Sequence, residues 1–178
     1  MKIGVILGSI REGRLGEEAA RWVIESASGR GGFEYELLDL AEFNVPALVS
    51  ATVPAMANRQ YEDEAVNTWS KAVDSCDGFV FVTPEYNHSV PGTFKNAFDS
   101  LSSEWTGKPV GFVGYGSAGA LRAVEHWRQI ISNFSMPNVR NQVALSMFED
   151  YADGAIAPRA SKAAELDRML GDLEALLA

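Results

Sequence analysis

Three short segments of the chain combine residue types that bind or react, and each lies where an apolar run gives way to an amphipathic one. The richest is Pro84-Glu85-Tyr86-Asn87, which follows the apolar run Gly78–Thr83 and precedes a helical pattern opening at Pro91. A proline suits an early helical position. Packing alone does not require an acid, a phenol and an amide at the end of a buried strand. They suit the floor of a site for a flat ligand with polar edges. The backbone of Glu85, Tyr86 and Asn87 can hydrogen-bond to such an edge, the Asn87 amide offers donors and an acceptor, and the Tyr86 ring can pack beside the ligand.

The second segment, Gly8-Ser9-Ile10-Arg11-Glu12-Gly13-Arg14-Leu15-Gly16, joins a strand-like run to a helical one. A helix start presents free N–H groups and a positive dipole end. Ser9 adds a hydroxyl, Arg11 and Arg14 add fork-shaped cations suited to phosphate, and the glycines permit close backbone approach. No Gly-Lys-Ser/Thr follows, so this is not a Walker A loop. The third segment, Gly114-Tyr115-Gly116-Ser117-Ala118-Gly119, fits G-x-G-x-x-G. The dinucleotide reading fails because no acidic residue stands at Met136–Arg140, about 20 residues on. A serine-hydrolase elbow fails too: Tyr115 occupies its first glycine position, and no histidine follows His126.

The elements that must position these loops alternate from end to end. Lys2–Leu7, Phe33–Leu38, Gly78–Thr83, Val110–Val113 and Gln142–Leu145 read as strands. Glu17–Ser28, Glu62–Ser75, Pro91–Leu101, Leu121–Phe134 and Ser161–Leu177 read as helices, the last with Ser161 as N-cap, and Ala41–Gln60 as a long loop. Such alternation implies an α/β fold, a parallel sheet covered by helices on both faces. In the doubly wound order 2-1-3-4-5, strands 1, 3 and 4 are neighbours, and their carboxyl ends bring the three loops to one edge. One domain over residues 1–178 is expected.

Composition narrows the classes of partner. A net charge of −9 argues against nucleic acid and anionic membrane, both of which need a basic surface. No apolar run is long enough to span a bilayer. The apolar stretch at the start is too short for a secretion signal and is followed at once by Arg11, Glu12 and Arg14, so the cytoplasm is expected. Cys76, the one cysteine, is read as a structural thiol, and with two histidines it cannot make a structural zinc site. Phe94, Phe98, Trp105 and Trp127 are read as core or subunit packing. Glu17 and Glu18 are read as first-turn acids that complement the helix dipole.

The run Pro84–Asp99 resembles the Pro-Glu-Tyr-Asn loop of the NAD(P)H-dependent FMN reductases, a flavodoxin-like family that also contains quinone, azo-dye and chromate reductases. Gly8–Arg11 resembles that family's Gly-Ser-x-Arg segment, and Gly116–Ala120 its Gly-Ser-x-Gly-Gly loop with Ala120 at the last glycine. The resemblance runs from Met1 to about Ser146. It implies an FMN phosphate at Ser9, Arg11 and the following helix start, Leu15 and Gly16. It implies a flavin ring against Pro84, Glu85, Tyr86 and Asn87 on one side and Gly116, Ser117 and Gly119 on the other. Arg14 stands where many relatives carry serine, which leaves phosphate, nicotinamide cofactor and subunit contact open for it. The implied activity is an FMN-dependent oxidoreductase. It takes hydride from NADH or NADPH and passes electrons to a quinone, flavin, azo compound or metal oxyanion. Hydride enters at flavin N5, so no catalytic side chain is implied, and His88 is the candidate should a proton donor be needed. A homodimer or homotetramer is implied, with Val45–Met56 as an apolar contact surface. The rival readings are a flavodoxin-type electron carrier and a flavin-based redox-sensing protein.

Overall fold

The computed structural model describes residues 1–178. The strands are β1 (Lys2–Leu7), β2 (Glu34–Asp39), β3 (Gly78–Pro84), β4 (Val110–Gly116) and β5 (Asn138–Ser146). They form one sheet in the order β2-β1-β3-β4-β5, every pairing parallel. This is the flavodoxin-like order. The helices are α1 (Gly16–Ala27), α2 (Leu40–Phe43), α3 (Glu64–Asp74), α4 (Gly92–Asp99), α5 (Leu121–Ile131) and α6 (Ala160–Ala175). No helix is long and apolar enough to cross a membrane.

Side-chain alternation along the strands sorts the core into two layers. Phe79, Phe81 and Phe112 face α3, α4 and α5, where they meet Trp69, Phe94, Phe98, Trp127 and the loop residue Trp105. Val80, Val82, Val113, Val143 and Leu145 face the opposite way, onto Ala19, Ala20 and Val23 of α1 and Leu166, Met169, Leu170 and Leu173 of α6. Phe94, Phe98, Trp105 and Trp127 are thus core residues, at most 1% exposed. Cys76 is buried, its Sγ 3.4 Å from the Ala72 carbonyl oxygen, and burial pushes the thiol up. It is a packing residue.

Several boundaries differ from the sequence reading, each for a local reason. The loop expected over Ala41–Gln60 opens with α2, because the Asp39 carboxylate accepts the Ala41 N–H at 3.0 Å and caps it. Pro91 is the N-cap of α4, in extended conformation, so the helix begins at Gly92. Ser161 does not cap α6; Arg159 occupies the N-cap and its carbonyl accepts the Lys162 N–H at 2.8 Å. β5 extends to both sides of the short run expected, through a register irregularity opposite Val110 and Phe112. A hairpin of β6 (Tyr151–Ala152) and β7 (Ala155–Ile156) adds to the expected elements, and its Asp153-Gly154 turn, with both φ positive, is a strong hairpin signal.

Candidate functional site

Register brings the three chemistry-bearing loops together. Leu7 lies opposite Val82, Thr83 opposite Gly114 and Pro84 opposite Tyr115, so β1, β3 and β4 end side by side. The Gly8 N–H donates to the Val82 carbonyl at 2.9 Å. The Ser9 hydroxyl lies 2.8 Å from the Tyr86 hydroxyl, tying the first loop directly to the second. Open α/β sheets place ligands at this edge.

The turn from Gly8 to Gly16 is shaped by two close approaches. A Cβ on Gly8 would collide with the Phe94 ring, and one on Gly16 would collide with the Tyr115 phenol and lie 2.7 Å from Leu7 Cδ1. Only glycine fits at either position. Leu15 is the N-cap of α1 and provides no side-chain cap. The first-turn N–H groups therefore have no acceptor within the helix. Arg14 is engaged within the turn itself. Its guanidinium donates to the Ser9 carbonyl at 2.6 Å, to Asp39 Oδ2 at 2.5 Å and to Glu17 Oε1 at 3.0 Å, and its side chain is 9% exposed. It braces the turn from below. Arg11 is exposed, with its guanidinium 5.9 Å from the centre of the Tyr86 ring.

The loop after β3 is a tight hairpin. Tyr86 and Ser89 exchange both backbone hydrogen bonds at 3.0 Å, and the two residues between them have positive φ, 50° at Asn87 and 66° at His88. That is the pattern of a type I′ turn, which asparagine tolerates well. Both side chains are exposed. The Glu85 carboxylate is held by the start of α5, just beyond the third loop. It accepts the N–H groups of Arg122 at 3.0 Å and Ala123 at 3.4 Å, and Arg122 Nε at 2.6 Å, capping α5. Burial acts to raise its pKa, but these donors outweigh burial and leave the carboxyl below the usual range. The Glu85 carboxylate is thus engaged within the fold. The Ser89 hydroxyl meets His126 Nδ1 of α5 at 2.9 Å, so His126 fixes the loop. Neither α5 partner is marked by local sequence, because both lie 37 residues away.

The third loop is packed by backbone contact. A side chain on Gly114 would strike the Gly119 carbonyl, and one on Gly119, which has φ +62°, would lie 2.6 Å from Ala144 Cβ. Ser117 and Ala118 are exposed beyond them, and Gly116, half-buried, marks where β4 ends. Ala120, the N-cap of α5, is itself left-handed at φ 56°, a conformation that glycine adopts with less strain. A shallow cavity of about 370 Å³ is lined by Ser117, Ala118 and Gly119, and two others lie elsewhere on the surface. One of about 440 Å³ opens between Ile10 and the start of α4, and one of about 400 Å³ lies under the segment 46–63.

The edge thus joins an uncapped helix start with an adjacent cation to two loops that present backbone and small side chains. The Tyr115 hydroxyl, buried beneath the first turn of α1, has no hydrogen-bond partner. An orphaned buried donor at a helix N-terminus fits a phosphate-bearing ligand, and the open loop edges fit a planar ring system; the residues present therefore suit FMN.

Comparison with known proteins agrees with this geometry. An NAD(P)H-dependent FMN reductase of Nectria is 41% identical over 126 residues, covering 68% of this chain and 63% of that protein. One of Schizosaccharomyces pombe is 34% identical over 174 residues, covering 97% and 85%. A quinone reductase of Pseudomonas putida is 32% identical over 161 residues, covering 86% and 78%. Among solved structures, the flavoenzyme NAD(P)H:(acceptor) oxidoreductase FerB of Paracoccus denitrificans superposes with a TM-score of 0.75 over 98% of this chain and 96% of its own, at 22% identity, a likeness of fold. A family model described as NADPH-dependent FMN reductase matches residues 1–150, and the chain belongs to that family.

Proposed function

We propose that this chain is an FMN-dependent NAD(P)H oxidoreductase whose electron acceptors are quinones or similar small molecules. The observation that carries the reading is the contact of Ser9 Oγ with Tyr86 Oη at 2.8 Å, which joins an anion-ready helix start to a ring-ready loop at one sheet edge. FMN, when bound, supplies the hydride and electron chemistry, and the protein supplies position and electrostatics.

Each residue's part follows from its surroundings. Ser9 and the first-turn N–H groups of α1, with Leu15 and Gly16, would hold the phosphate, and exposed Arg11 would add charge from the solvent side. Arg14, already paired with Asp39, would keep the Ser9 carbonyl turned inward and the turn in shape. Pro84 and the backbone of Glu85, Tyr86 and Asn87 would line one side of the ring, and Gly116, Ser117 and Gly119 the other. His88, exposed at the tip of its turn, is left without a required part.

The finer points belong to the same reading. We take residues 1–178 as one FMN-binding unit at work in the cytoplasm. A homo-oligomer would cover the apolar segment around Val49 and Met56, which are 88% and 72% exposed. Reconstitution with FMN followed by NADH or NADPH oxidation in the presence of a benzoquinone tests the activity. Sustained turnover is expected. Retention of FMN without nicotinamide oxidation would instead make the protein an electron carrier.

A further inference from the structure

The buried polar atom left unmatched at the site is the Tyr115 hydroxyl. Tyr115 is 5% exposed and its oxygen has no hydrogen-bond partner. The phenol packs against Gly16 so closely that any side chain there would collide with its oxygen. Burial raises its pKa; the Ser9 hydroxyl is near enough to oppose that rise but does not meet the geometry of a hydrogen bond to it, so the phenol stays protonated with its proton unplaced. An unpaired buried hydroxyl is a cost that folded proteins normally avoid. Phenylalanine would fill the same space without that cost.

We propose that Tyr115 is a positioning residue for phosphate recognition: with the FMN phosphate in place, its O–H hydrogen-bonds to Ser9 Oγ and holds the Ser9 proton toward the anion. The inference rests on the FMN reading above. The hydroxyl count supports it. Ser9 Oγ has one proton and two acceptor positions. It lies 2.8 Å from Tyr86 Oη and receives a long contact from the Arg11 N–H at 3.4 Å. A phosphate has only acceptors to offer. Once Ser9 gives its proton to the phosphate, both of its acceptor positions can be filled by phenols, those of Tyr86 and Tyr115. All three hydroxyls are then satisfied, and the orphaned donor acquires a purpose that appears only with the anion. No member of this trio need ionise.

The test is Tyr115→Phe, alone and combined with Ser9→Ala, titrated by fluorescence with FMN and with riboflavin, together with thermal melting of the flavin-free proteins. Tyr115→Phe should weaken FMN about tenfold and leave riboflavin unchanged. It should add no further loss in the Ser9→Ala background, because it acts through Ser9. The flavin-free variant should melt no lower than the parent, since an unpartnered hydroxyl has been removed. Unchanged FMN affinity, an equal loss on riboflavin, or a lower melting point of the flavin-free variant would overturn the assignment. If Ser9→Ala abolishes the preference for FMN and Tyr115→Phe keeps it, only the Tyr115 assignment falls. A parent protein that binds riboflavin as tightly as FMN would overturn the phosphate site itself.

Discussion

On the face of the sheet under α3, α4 and α5, the indole N–H groups of three buried tryptophans all find acceptors. Trp69 donates to the Ala97 carbonyl at 2.9 Å, Trp105 to the Phe98 carbonyl at 3.0 Å and Trp127 to Thr83 Oγ1 at 3.2 Å. On the opposite face, under α1 and α6, the packing is mainly aliphatic, and the buried Tyr115 hydroxyl is left unpaired. The indoles of the aromatic face are all paired within the fold. The aliphatic face keeps the unpaired Tyr115 hydroxyl beneath the turn from Gly8 to Gly16. One side pairs its indole donors within the fold, while the other leaves a phenol unpaired beside the turn proposed to hold a phosphate.

The comparison breaks most visibly on the aromatic side. Trp105→Ala should cost about 3–5 kcal/mol in urea unfolding, because a fully buried indole and its hydrogen bond are both lost. Any folded fraction should keep the parent's preference for FMN over riboflavin, since Trp105 contacts none of the three loops' polar groups. Arg11→Ala should do the reverse. It should leave the melting temperature nearly unchanged, the side chain being exposed, and weaken FMN at least about tenfold by loss of a charge-assisted hydrogen bond of roughly 1.5–3 kcal/mol.

Smaller effects sharpen the boundary between the two sides. Ala120→Gly should raise stability by roughly 0.5–1 kcal/mol in the same unfolding assay. Relief of left-handed strain, about 1–2 kcal/mol, outweighs the added freedom of the unfolded chain. The smallest expected effect is acid-dependent. Burial acts to raise the Asp150 carboxyl, but Arg159 and the N–H groups of Ser146 and Arg159 bring it below its ordinary value. A depressed carboxylate contributes stability above the unfolded value, about 3.9, and loses it as pH falls through the folded value. Asp150→Asn should therefore flatten the fall in melting temperature below about pH 4 and change little near neutrality in slope with pH.

Much of this architecture was legible in the chain itself. The helix-covered parallel sheet followed from alternation and its strand order from the resemblance, and the three loops could be named because glycine and polar residues interrupt strong apolar runs. The Asn87-His88 turn shows a limit. Asparagine at that position looked like a ligand-facing amide, yet its φ of 50° gives it a backbone reason to be there. Arg14 shows another: as a cation on a phosphate-ready loop it suggested a ligand, whereas Asp39 at the end of β2, 25 residues on, claims its guanidinium. Glu85 is held by Arg122 in the same way. Such pairings depend on which strand ends become neighbours, so local spacing does not carry them. The Tyr115 hydroxyl was hidden for a related reason, because a tyrosine on a buried strand reads as packing until its oxygen is found without a partner.

The central claim is that the turn from Ser9 to Gly16 is a phosphate site. Its most direct test is equilibrium titration of the flavin-free protein with FMN and with riboflavin, which differ only by the phosphate. The account predicts that FMN binds at least about tenfold more tightly, the share expected of a charge-assisted contact. Equal affinity for the two flavins would contradict it.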